Sequence, residues 1–139
     1  MKPVMIFWPA IAMVVLTFLV WLRLYQIRIG EMRRRRIDPQ SIANSSQKAR
    51  LLEDTRGSDN FRNLFELPVL LYPALILAFL TGQVTPLTLG LAWAFVGLRF
   101  VHSAIHCSYN RVMHRFTVYL LGALVLWVLW AVLAVALVQ

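Results

Sequence analysis

Residues 58–73 read SDNFRNLFELPVLLYP. Within about one helical turn the chain passes from polar to apolar, and Arg62, Asn63 and Glu66 stand at the boundary. No charged residue follows Glu66 until Arg99. On a helix Arg62 and Glu66 are four apart and Asn63 and Glu66 three apart, so the three can share one face. A carboxylate at the centre of a membrane-spanning helix costs about 2.5–3.5 kcal/mol on insertion scales. Glu66 is therefore expected to be paired, with Arg62 the nearest partner, or to lie at the interface facing protein or water. Two readings stand. The triplet is a functional site, or it is interfacial dressing, with Ser58 and Asp59 capping the helix and Arg62 reaching phosphate headgroups.

Outward from this stretch, 60% of the 139 residues are hydrophobic and 14% charged. That is too apolar for an ordinary soluble domain. The net charge of +8 is concentrated. Apart from Lys2, every Lys and Arg lies between Arg23 and Arg62 or between Arg99 and Arg115, and all six acidic residues lie between Glu31 and Glu66. These groups border long apolar runs, so anionic lipid headgroups or an anionic ligand are the expected partners, and nucleic acid is not. Cys107 is the one cysteine and forms no intramolecular disulfide.

Four spans of the length a bilayer demands, about 20 residues, are expected at 4–24, 64–80, 87–105 and 116–138. They make one domain over 1–139, an all-α integral membrane four-helix bundle. The first span runs straight into Arg23, Arg28 and Arg33–Arg36 without the small-residue cleavage site of a signal peptide, so it is read as retained. Trp8 and Trp21 lie near its ends, where aromatic belts form, and Pro9 permits a bend. The arginine run is a headgroup anchor, or a rim that draws in an anionic substrate. A cytoplasmic loop over 33–58 is expected to carry a short helix capped by Ser45 or Ser46 and closed by Gly57. Pro68 should bend the second span beside Glu66, because its ring clashes with the carbonyl of Leu64. The short turn at Thr81–Pro86 makes spans two and three an antiparallel hairpin. In span three, Gly90, Ala94 and Gly97 form a small-residue side suited to tight packing. By the positive-inside rule both basic connections are cytoplasmic and both termini outside.

This topology brings two polar clusters to one membrane face: Arg62, Asn63 and Glu66, and the run Arg99, His102, Ser103, His106, Asn110 and Arg111. Arg99, His102, Ser103, His106 and Asn110 fall on or near one helical face. Together the clusters can line a cationic pocket with an apolar floor. Arginine forks recognise carboxylates, and a nearby arginine favours the thiolate of a thiol whose pKa starts near about 8.5. A thiol peptide bearing carboxylates suits such a pocket, and its floor suits a lipophilic partner from the bilayer. His102 and His106 have a spacing that can hold a metal, but no third ligand and no zinc-protease glutamate accompany them, so no metal is expected. Trp127 and Trp130 are read as packing or lipid-facing residues.

These residues resemble the family of membrane-associated proteins in eicosanoid and glutathione metabolism (MAPEG). The likeness covers nearly the whole chain. Its most specific parts are Asn63-x-x-Glu66 with Pro68 nearby and the basic end of span three leading to Arg111. The run Asn60–Glu66 is similar to bacterial members. The resemblance implies a homotrimer in a bacterial inner membrane, with glutathione bound between subunits on the cytoplasmic side and transferase or peroxidase activity on a lipophilic electrophile. It implies that Asn63 and Glu66 contact glutathione and that Arg111 stabilises the thiolate; Arg62, Arg99, His102 and His106, from the two polar clusters, are the further candidates for holding it. The chain departs from the family's pattern at Asp59, where an arginine is usual, and at His102 and His106, in a stretch where tyrosines are usual. The other class of function open to the same rim is a non-catalytic scaffold or a module that binds anionic lipid.

Overall fold

The computed structural model describes residues 2–42 and 55–138. The short helix expected near Ser45 and Ser46 lies outside the described residues. A 3-10 turn at Pro3–Phe7 leads into α1 (Trp8–Arg35). Then follow α2 (Arg56–Asn63), a 3-10 turn at Leu67–Leu70, α3 (Leu71–Leu80), α4 (Pro86–Cys107) and α5 (Val112–Val138). Pro3–Arg35, Arg56–Leu80, Pro86–Cys107 and Val112–Val138 are each long and apolar enough to cross a membrane.

α1 continues well past residue 24 and takes in Arg33, Arg34 and Arg35, whose charges suit the negative end of the helix dipole. Arg36 ends it in the left-handed conformation, with φ of 52°. Inside that last turn Glu31 is buried and paired with Arg35 at 3.1 Å. α4 begins with a capping box in which Thr85 and Thr88 bond each other's backbone N–H, with Pro86 at the first helical position.

The bend expected beside Glu66 is a full break. Pro68 cannot donate to the carbonyl of Leu64 and its ring crowds it. The α-helix therefore stops at Asn63, Glu66 adopts φ −93° and ψ −112°, and the chain turns through Leu67–Leu70 before α3 resumes. The carbonyl of Leu70 at this junction accepts a 3.2 Å hydrogen bond from the Trp130 indole. Trp130 is thus a packing residue, while Trp127 is exposed.

The core lies along the bundle axis. Met13, Leu16 and Val20 of α1 meet Leu71, Ala74, Leu75 and Ala78 of α3, Ala92, Phe95 and Val96 of α4, and Leu126, Leu129 and Leu133 of α5. These sets recur at the three-to-four spacing of one helical face. The outer surface is also apolar: Ile11, Phe18, Leu80, Leu124 and Val135 are exposed, as lipid contact requires. Gly90, Ala94 and Gly97 lie on this outer side, and a Cβ at Gly90 or Gly97 would meet nothing within 4 Å. The tight contact expected of them does not occur within the subunit, because α4 turns its Phe95–Arg99–His102–His106 face inward instead.

Candidate functional site

α2 lies antiparallel against the end of α4, and three contacts fix the register. Arg56 Nη1 donates to the Ser108 carbonyl at 3.1 Å. Asn60 Nδ2 donates to Cys107 Sγ at 3.3 Å, and Ser103 Oγ donates to Asn60 Oδ1 at 3.2 Å. Asn60 is completely buried. Asn63 is the last residue of α2, and Glu66, beyond the helix end, is near enough for its charge to act on Arg99.

Arg99, His102, Ser103 and His106 share the buried face of α4, as their spacing implies. Arg99 is 1% exposed. Its guanidinium lies 5.0 Å from the Phe95 ring centroid and 4.9 Å from that of Tyr119 on α5. Among the described residues none accepts a hydrogen bond from its Nε, Nη1 or Nη2. His102 Nδ1 meets the carbonyl of Arg115 at 3.3 Å, so in the neutral ring this nitrogen carries the proton. His102 Nε2 is then a buried lone pair without a donor among the described residues. His106 Nε2 accepts from Arg115 Nη1 at 3.0 Å, which leaves the proton on Nδ1, also without a partner among the described residues. The two imidazoles are 5.9 Å apart. Among the described residues no group of three or more His, Cys, Asp and Glu side chains comes together in a way that could hold a metal ion.

Two arginines leave the α4–α5 turn with different fates. Asn110 takes the left-handed conformation, with φ of 49°, and reverses the chain. Arg115 then folds back over the turn, bonding Asn110 Oδ1 at 2.8 Å as well as His106. Arg111 is exposed, and its guanidinium has no hydrogen bond or ion pair among the described residues. The anticipated pairing of Glu66 with Arg62 does not form. Glu66 lies beyond the end of α2 and is exposed, so the four-residue helical spacing no longer applies. Arg62 lines a cleft with Tyr25 and Arg28 of α1.

The structure thus puts Arg99, His102 and His106 on one buried face of α4, with the charge of Glu66 acting on Arg99; Asn63 ends α2, Arg111 is exposed on the turn after α4, and Arg62 is turned toward α1. Sequence reasoning missed Asn60, Tyr119 and Arg115. Asn60 stands within the quoted stretch, but its role depends on the α2–α4 register. A model of the MAPEG family matches residues 6–135. None of the curated proteins and none of the solved structures compared with the chain matches it.

Proposed function

The chain belongs to the MAPEG family, and from that premise we propose that it is a glutathione-dependent transferase or peroxidase acting on a lipophilic electrophile. The observation that carries the reading is the set of five buried nitrogens on α4, on Arg99, His102 and His106, that have no hydrogen-bond partner among the described residues. Buried polar groups are almost always satisfied, so such a set calls for a ligand. A cation within a membrane span calls for an anion. Glutathione fits in kind: its carboxylates match the guanidinium of Arg99, its amide groups match the imidazole nitrogens, and its thiol supplies the nucleophile.

The residues divide the work. Asn63 and Glu66 orient the polar ends of the tripeptide, Glu66 by attracting its ammonium. Arg99 holds a carboxylate. His106 donates from Nδ1, and Arg115 fixes the ring for that task. The Nε2 lone pair of His102 takes the thiol proton. Arg111 is free to bond the thiolate, whereas Arg115 is committed to the turn. The apolar walls keep water out, which strengthens these electrostatic contacts. The reading extends to a homotrimer in a bacterial inner membrane, with a single four-span domain, the loop over 33–58 in the cytoplasm and both termini outside.

Calorimetric titration of the detergent-solubilised protein with glutathione tests this. Saturable binding, weakened at least tenfold in Arg99→Met, is expected. Absence of binding, or binding that Arg99→Met leaves unchanged, contradicts it.

A further inference from the structure

The two imidazoles on the buried face of α4 have their protons placed by a single residue of α5. His102 and His106 are 3% and 1% exposed and stand one helical turn apart. Arg115, in the first turn of α5, reaches both rings with different groups. Its main-chain carbonyl meets His102 Nδ1 at 3.3 Å, and its Nη1 meets His106 Nε2 at 3.0 Å. A carbonyl only accepts and a guanidinium only donates. His102 must therefore carry a proton on Nδ1, and His106 must leave Nε2 bare. In the neutral rings both protons sit on Nδ1, the less favoured place in a free imidazole. The bond made by one ring nitrogen decides the state of the other.

The outcome differs between the rings. On His102 the nitrogen left over is a bare Nε2. On His106 it is an Nδ1–H. Neither has a partner among the described residues. The ring centroids are 5.9 Å apart, so a ligand that reaches both rings meets one acceptor and one donor. Arg115 is itself aimed. Its Nη1 carries two hydrogens, and the one that does not go to His106 goes to Asn110 Oδ1 at 2.8 Å. Asn110 holds the left-handed backbone of the α4–α5 turn, with φ of 49°, a conformation asparagine adopts more readily than most side chains.

We infer that Arg115, aimed by Asn110, is a positioning residue that gives the two imidazoles opposite polarity, so that the pair takes a ligand group able both to donate and to accept. A thiol has that character, and so does an amide. A carboxylate only accepts, and its oxygens would face the bare Nε2 of His102. This ligand assignment rests on the glutathione reading and divides the tripeptide further: Arg99 takes a carboxylate, and the imidazole pair takes the thiol or an amide. The tautomers rest on the chain's own contacts and need no ligand.

Solid-state 15N NMR of the intact protein tests the inference. The three histidines are labelled, and the protein is placed in bilayers without ligand at about pH 8, where an ordinary imidazole is neutral. The signals of His102 and His106, assigned through His102→Gln and His106→Gln, should both report the proton on Nδ1. In Arg115→Met the proton of His106 should move mainly to Nε2, whereas His102 keeps its own on Nδ1, because the main-chain carbonyl remains. Arg115→Lys, which keeps a donor, should restore most of the Nδ1–H form of His106. Asn110→Gly, which keeps the left-handed turn and removes Oδ1, should shift His106 part of the way. Glutathione affinity by calorimetry should fall about tenfold in Arg115→Met, the worth of one hydrogen bond. A merely structural Arg115 would alter both rings together or neither, and either result overturns the inference. So does an Nε2–H form of His106 in the unaltered protein. Undiminished glutathione binding by Arg115→Met overturns the ligand assignment. If the unaltered protein binds no glutathione while the tautomers are as stated, the thiol reading fails and the positioning role stands.

Discussion

A guanidinium that is 1% exposed, with three nitrogens lacking acceptors among the described residues, has lost its water without replacing it. Cation–π contact with Phe95 and Tyr119 offsets part of that loss, by about 2 kcal/mol or more per ring when desolvated. Without ligand, Arg99→Met should therefore hold or raise stability, by on the order of 1–4 kcal/mol, as when buried charges give way to apolar groups. Thermal unfolding in detergent reads this. A fall of about 3–5 kcal/mol would mean that Arg99 has a protein partner whose loss strands a charge. Asn60→Ala should do the opposite. It strands Ser103 Oγ and removes the contact with Cys107, at a cost of about 1–3 kcal/mol. The same unfolding experiment checks it, and an unchanged midpoint would count against the α2–α4 contact as a structural tie. Spacing alone made Arg99, His102, Ser103 and His106 legible as one face. It could not separate Arg111 from Arg115, because the left-handed Asn110 decides which of them folds back, and no residue pattern announces that conformation.

The decisive element is the short α2. Pro68 made its end legible, because a missing N–H and a ring clash act locally. Its beginning was not legible. Gly57, read as the close of a preceding helix, lies in the first turn of α2 and packs on α1. A Cβ there would sit 3.0 Å from the Leu24 Cα, a backbone atom that cannot swing aside. Gly57→Ala should push α2 off α1 and cost about 1–3 kcal/mol, the usual range for overpacking. A chemical-denaturation midpoint measures it, and Gly90→Ala, with open space around it, serves as the silent control. Close approach between helices far apart in sequence leaves no local signal, which is why this glycine was misread. Gly90, Ala94 and Gly97 were likewise legible as a small-residue stripe, but not as one that faces outward.

At the scale of the molecule, apolar length made the four spans legible, because the bilayer and not tertiary detail sets that length; the arginine distribution predicts their direction. Reporter fusions at Gln139 and within residues 41–46 should mark opposite compartments, with the loop inside. The same compartment for both would overturn the topology. The paired ends of α2, α4 and α5 converge on one face, and the central claim is that this face activates a thiol. Thiolate absorbance against pH, with glutathione bound to the intact protein and to Arg111→Ala and Arg111→Lys, tests it most directly. The account predicts a bound thiol that ionises well below about 8.5, a return toward that value in Arg111→Ala, and poor rescue by lysine, whose compact ammonium cannot reproduce the fork. A bound thiol that ionises near 8.5 in the unaltered protein, or that does not respond to Arg111→Ala, would contradict it.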